Sequence, residues 1–195
     1  MEQNLARDRR LFLKTGVATA MAAGLNHPMV AQEQTSPVSD SPGEKVVLGI
    51  MGVNGRGAAI AQGMMAASNV EVGAICDVDS RASLRVGQLV GEKQGRAPKV
   101  EGDFRRILDD SSIDVLVVSA PNHWHAPATI LGCAAGKHVY VEKPCSHTPA
   151  EGEMAVAAAR KHKRIVQMGT QRRSWSGIKE AIGKVLDGAI GEVHY

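Results

Sequence analysis

From Lys45 onward the chain alternates short apolar runs with longer stretches of helical periodicity, and the first run ends in a cluster of glycines. That order leaves few folds open. A run that is apolar along its length, such as Val46–Met51, has no polar face to offer water and reads as a strand buried on both sides. Further strands are expected at Val70–Cys76 and at residues 99–100, 113–119, 138–141 and 164–168. Helices are expected between and after them, over residues 58–67, 80–94, 104–108, 125–135, 149–163 and 178–186. Thr148-Pro149-Ala150-Glu151 has the form of a capping box with proline at the first helical position, which marks where one helix begins. Strands that alternate with helices are joined by crossovers, so the sheet is parallel and carries helices on both faces. The expected fold class is α/β, a Rossmann-type doubly wound parallel sheet.

Aromatic residues are only 3% of the chain, so this core has to be built from Ala, Val, Ile, Leu and Met. The formal charge of +3 owes much to Arg7, Arg9, Arg10 and Lys14. Beyond them acidic and basic residues are mixed, which gives no surface for nucleic acid. Arg9-Arg10-Leu11-Phe12-Leu13-Lys14 resembles a twin-arginine export motif, with Asp8 where Ser or Thr is usual. The uncharged, Ala- and Gly-rich stretch that follows, and the small residues near Ala31, complete the pattern of a signal peptide over residues 1–31. Gly16, Gly24, His27 and Pro28 suit this stretch poorly to a membrane-spanning helix, so no stable membrane insertion is expected. The protein is therefore expected to engage the twin-arginine export machinery and to be exported, to the periplasm or another extracytoplasmic space. Residues 32–44 read as a linker, 45–175 as the nucleotide-binding domain, and 176–195 as a connection onward. The three cysteines form no paired framework. Cys76 and Cys133 read as small core residues, and Cys145 as an ordinary small residue or a reactive thiol.

Gly52-Val53-Asn54-Gly55-Arg56-Gly57 lies between the first strand and the first helix. A turn there can bring backbone N–H groups and a helix N-terminus against a pyrophosphate, and side chains at its tight points would block the approach. Asn54 takes the middle position of the usual G-x-G-x-x-G pattern, where its tolerance of a left-handed backbone would help. Asp77, 25 residues after Gly52, closes the second strand, where a carboxylate can accept hydrogen bonds from the adenosine ribose. It could equally cap the next helix. A carboxylate there disfavours a 2′-phosphate, whereas Ser80 and Arg81 would welcome one. The cofactor expected is NAD or NADP, with a slight preference for NAD.

Two later segments are more specific. Ala120-Pro121-Asn122-His123-Trp124-His125 follows the fourth strand, and Val141-Glu142-Lys143-Pro144 the fifth. Together with the glycine turn they resemble the family of glucose–fructose oxidoreductase, inositol dehydrogenase and rhizopine-catabolism proteins (Gfo/Idh/MocA), from about Val46 to Tyr195. The resemblance implies an NAD(P)-dependent oxidoreductase that moves hydride to or from a sugar, polyol or inositol-like substrate. It implies that Gly52, Val53, Asn54, Gly55, Arg56 and Gly57 hold the pyrophosphate and Asp77 the adenosine ribose. Pro121, Asn122 and His125 would line the cofactor, Glu142 would lie by the nicotinamide ribose, and Lys143 would touch cofactor and substrate as the catalytic residue. Hydride leaves a carbinol carbon only as its hydroxyl loses a proton, which is the work of a positioned acid/base.

Each of these residues also has a plainer reading. Lys143 can be a surface lysine at a strand end, and Trp124 a packing residue. His123-x-His125 lacks a third ligand at convincing spacing, so no metal site is expected. Gly169-Thr170-Gln171-Arg172-Arg173, after the sixth strand, resembles the family's segment bordering the substrate cleft, where Arg172 or Arg173 can contact the substrate or belong to a solvated loop. Some relatives in the family cleave glycosidic bonds through transient oxidation, so a glycosidase is the alternative activity, and a non-catalytic nucleotide-binding fragment a third. Members of the family continue into a second, mostly antiparallel α+β domain that supplies a catalytic His and an oligomer interface. That domain is expected to be missing after residue 195, and the full-length protein is expected to be a homo-oligomer.

Overall fold

The computed structural model describes residues 45–192; the expected signal segment, the linker and residues 193–195 lie outside the described residues. The strands are β1 (Val46–Met51), β2 (Val70–Cys76), β3 (Lys99–Glu101), β4 (Val115–Val118), β5 (His138–Glu142) and β6 (Val166–Gly169). The helices are α1 (Arg56–Met64), α2 (Ser80–Gln94), α3 (Arg105–Asp109), α4 (His125–Ala134), α5 (Pro149–His162) and α6 (Ser176–Leu186). The strands form one sheet in the order β3-β2-β1-β4-β5-β6, and every neighbouring pair is parallel. The order reverses between β1 and β4. At such a switch point the connections diverge to opposite faces and leave a crevice beyond the carboxyl ends of the strands.

Strand side chains alternate between two cores. Leu48, Ile50, Ile75 and Val117 pack with Ile60 of α1 and Val86 and Val90 of α2. Leu116, Val118, Val139 and Val141 pack on the other face with Ile107 of α3 and Ala128 and Cys133 of α4. Each such Val, Leu or Ile contributes about 1.5–3 kcal/mol when fully buried. β1 and β4 are apolar along their length because both faces of these central strands are covered.

The helix ends follow from local chemistry. The Asp79 side chain caps α2 by accepting from Arg81 N at 3.0 Å, and Gly95, at φ 73°, ends the helix. Thr148 and Glu151 form the expected capping box on α5. β4 is shorter than the strand expected at 113–119 because Asp114 exchanges bonds with Val47: Asp114 N donates to Val47 O at 2.9 Å and Val47 N to Asp114 Oδ2 at 2.8 Å. Lys137 is buried, and its ammonium donates to Asp110 O (2.5 Å) and Ile113 O (2.9 Å). It thereby fastens the end of the sheet away from the crevice. α6 buries none of its residues and leaves Ile182 and Leu186 exposed. Among the described residues no helix is long and apolar enough to cross a membrane.

Cys76 and Cys133 are buried and Cys145 is exposed. Burial first, and then the carboxylates of Asp103, Asp77 and Glu101, push the Cys76 thiol up to about 12. Burial also raises Cys133. Since the thiolate is the reactive form, an aromatic disulfide reagent at pH 8 is expected to titrate Cys145 alone in the native protein. The other two should react only after denaturant is added; fast native labelling of Cys76 or Cys133 would show that the core is not packed as described.

Candidate nucleotide-binding site

The glycine turn sits at the switch point and is shaped by what surrounds it. Gly52 leaves β1 at φ 83°, and its N–H donates to Cys76 O at 2.8 Å. A Cβ on Gly52 would lie 2.7 Å from Ala120 N, so β4 closes over this point. Val53 is fully buried among the α1–α2 side chains and anchors the turn from below. Gly55 takes φ 100° with nothing within 4 Å of where a side chain would begin. Gly57, already in α1, would bring a Cβ within 1.8 Å of Gly52 O. Asn54 is not among the residues with positive φ. Gly55 supplies the left-handed step instead, which corrects the expectation that Asn54 would bear it and explains why the middle glycine is dispensable here.

Asp77 is tied to this turn. Its Oδ2 accepts from Val53 N (2.8 Å) and Asn54 N (3.2 Å), and its Oδ1 accepts from Asp79 N (3.0 Å). The helix-cap alternative therefore falls to Asp79, two residues later. Val53 N and Asn54 N are occupied by this carboxylate, whereas the N-terminus of α1 has no side-chain cap. Its first-turn N–H groups, with the positive end of the helix dipole, remain suited to an anion.

Beside the turn lies a pocket of about 640 Å³, lined among others by Gly52, Asp77, Val78, Phe104, Pro121 and Trp124. That volume falls within the range of small-molecule sites. Trp124 is 40% exposed and meets Phe104 edge-on with ring centroids 5.7 Å apart. It is both a packing residue and a wall of the pocket. Pro121 and Asn122 are exposed at the rim, where residues Asn122–Trp124 form a 3-10 turn that the periodicity had not indicated.

His125 is placed differently from expectation. It is 2% exposed, and its Nε2 faces Ala120 O at 2.9 Å while its Nδ1 pairs with Pro144 O. Instead of lining a groove, the ring braces the end of β4 against the loop after β5. His123 is exposed and so does not share a site with it.

Across the switch point, Glu142 ends β5 and is 4% exposed. Its Oε1 accepts from Arg56 Nε at 3.0 Å and its Oε2 from Gln171 Nε2 at 2.7 Å. The Arg56 side chain is thus directed to Glu142, and its backbone stands in the first turn of α1. Burial, and then the Glu142 carboxylate, raise the Tyr140 phenol above its usual value, with Arg56 acting in the opposite direction. Lys143 follows as an exposed side chain, joined to Pro144 by a cis peptide. Gln171 was expected only as part of the segment bordering the substrate cleft, with no role for its side chain, and Ser119 was given none. Ser119 Oγ is buried beside the turn and has no hydrogen-bond partner among the described residues.

The arrangement fits a dinucleotide. A cradle that any Cβ would fill stands over an uncapped helix end, a carboxylate lies at the end of β2, and a pocket opens on one side with Glu142 and Lys143 on the other. Known proteins share the fold. The chain is 27% identical to a glycosyl hydrolase family 109 protein of Saccharopolyspora erythraea, over 95% of this chain and 44% of that protein. It is 30% identical to the inositol 2-dehydrogenase of Salmonella typhimurium, over 64% of this chain and 36% of that enzyme. The structure of myo-inositol 2-dehydrogenase from Lactobacillus plantarum superposes with a TM-score of 0.65 at 24% identity, over 77% of this chain and 44% of that one. The chain spans less than half the length of each of these proteins. Residues 46–170, well over half of the chain, match the family described as GFO_IDH_MocA, oxidoreductase family, NAD-binding Rossmann fold. The chain belongs to this Gfo/Idh/MocA family of oxidoreductases.

Proposed function

We propose that the chain is the cofactor-binding part of an NAD(P)-dependent oxidoreductase that moves hydride to or from a sugar, polyol or inositol-like substrate. The observation that carries this reading is the Asp77-tied glycine turn set between the 640 Å³ pocket and the Glu142–Lys143 strand end. In this reading the pocket takes the adenosine, with Val78 and Trp124 as its walls. Asp77 uses lone pairs left over from its three N–H partners to accept from the ribose. The N-terminal turn of α1, from Gly55 to Gly57, faces the pyrophosphate. Glu142 accepts from the nicotinamide ribose, and Pro121 and Asn122 form the rim between the two halves. A bound nicotinamide supplies the hydride acceptor or donor. Lys143, exposed at the same edge, takes the proton from the substrate hydroxyl or returns it.

NAD is preferred to NADP in this proposal. Asp77 would repel a 2′-phosphate, and the nearby Arg81 is paired with Asp79 at 3.0 Å. Titration with the reduced cofactors, read by nicotinamide fluorescence, is expected to show tighter binding of NADH than of NADPH. Asp77→Ala should weaken NADH about tenfold, the scale of a lost charge-assisted hydrogen bond. Absence of binding by either nucleotide would overturn the proposal.

A second reading is a glycosidase that uses NAD transiently, favoured by the likeness to a glycosyl hydrolase family 109 protein along 95% of the chain. Release of a chromogenic aglycone without net NADH formation would select it, whereas net reduction of NAD by a free polyol selects the dehydrogenase.

A further inference from the structure

Glu142 is the only carboxylate among the described residues that is almost fully buried. A buried carboxylate keeps one orientation only when its oxygens are matched by donors. Here the donors come from two distant elements. Arg56 stands in the first turn of α1, 86 residues away along the chain, and Gln171 lies 29 residues beyond Glu142 in the turn after β6.

The backbone around Gln171 is built for this contact. Gln171 itself holds φ 48°, a left-handed conformation that a side-chain-bearing residue keeps only when its surroundings demand it. Two residues earlier, Gly169 pairs with Glu142 in the sheet. A Cβ on Gly169 would lie 2.3 Å from Tyr140 Oη and 2.9 Å from Glu142 Oε1. The strand end is therefore bare where the carboxylate and phenol pass, and the chain curls immediately afterwards to bring the Gln171 amide back onto Glu142.

We propose that Gln171 is a positioning residue, acting with Arg56 to clamp the Glu142 carboxylate from two sides. In this role Gln171 fixes the orientation in which Glu142 meets the nicotinamide ribose. The turn that carries Arg172 and Arg173 is thereby coupled, through one carboxylate, to the helix end that faces the pyrophosphate. The inference rests on the reading of Glu142 as a cofactor ligand.

A double-mutant cycle on NADH affinity tests it, using the whole chain with Gln171→Met, Glu142→Ala and the double variant. Methionine keeps the length of Gln171 and removes its donor, and the residue is exposed, so the fold should survive; the thermal midpoint of each variant checks that it does. Gln171→Met is expected to weaken NADH about tenfold and to shift the emission of the bound nicotinamide. The double variant should bind no more weakly than Glu142→Ala alone, because both changes remove one interaction. Wild-type affinity in Gln171→Met, or losses that simply multiply, would overturn the positioning role while leaving the cofactor reading in place. Failure of the unsubstituted chain to bind NADH would overturn both.

Discussion

Lys143→Met is expected to lower turnover on the sugar or polyol substrate by about 10²–10⁴-fold, the usual contribution of a positioned proton-transfer group. Methionine keeps most of the side-chain length and removes the only atom that can carry the proton. Because Lys143 is exposed and lies outside the buried core, its replacement should leave stability within about 0.5 kcal/mol and NADH affinity within about twofold. The measurement is steady-state turnover of the enzyme beside a nucleotide titration of the same variant. Unchanged turnover would move the proton-transfer role to another group; a parallel collapse of NADH binding would make Lys143 a cofactor ligand only.

Gly57→Ala should produce the largest loss of nucleotide binding. Its Cβ would stand 1.8 Å from the carbonyl oxygen of Gly52. That neighbour is backbone, so no rotamer change relieves the overlap; either the turn opens or α1 moves away from it. Overpacking of this kind costs roughly 1–3 kcal/mol or more, which lowers the melting temperature by about 2–4 °C per kcal/mol in a chain of this size. NADH affinity should fall by two orders of magnitude or more, about the 2.7 kcal/mol that such a factor represents. Gly63 is the control. It lies in the same helix with nothing within 4 Å of its missing Cβ, and Gly63→Ala should stabilise the protein by about 0.5–1 kcal/mol through the better helix propensity of alanine. Equal behaviour of the two variants would show that the close approach at Gly57 is not what shapes the turn.

The strands were legible because a doubly covered parallel sheet writes its central strands as continuous apolar text. β1 and β2 fall where the apolar runs place them, as does α2. The ends were less legible where tertiary partners decide them. α1 begins at Arg56, two residues before the apolar pattern, because the Gly55 backbone ends the turn there. β4 loses residues 113 and 114 to the exchange with Val47. Single-residue roles were legible only as far as their partners are near in sequence. Asp77 could be placed at a strand end, but not its hold on Val53 and Asn54, since the turn folds back over 24 residues to reach it. The partners of His125 and Arg56 were equally hidden, because Pro144 and Glu142 lie 19 and 86 residues away along the chain. Nothing local marks Gln171 as a partner of Glu142. Only the sheet register, Glu142 opposite Gly169, brings them together.

The closeness of Gly52 to Ala120 also bears on how the chain assembles during synthesis. β1, β2 and β3, with their two helices, leave the ribosome first and can pair with one another, and Gly52 N already reaches Cys76 O within that half. The other wall arrives only when β4 joins β1, where Ser119 N donates to Met51 O at 2.8 Å. A nucleotide that needs both walls binds the joined state and not the separated halves. Present at a hundred times its dissociation constant, it would add about 2.7 kcal/mol to that state. In the proposed reading, bound nucleotide is thus a latch on the central seam between the two halves.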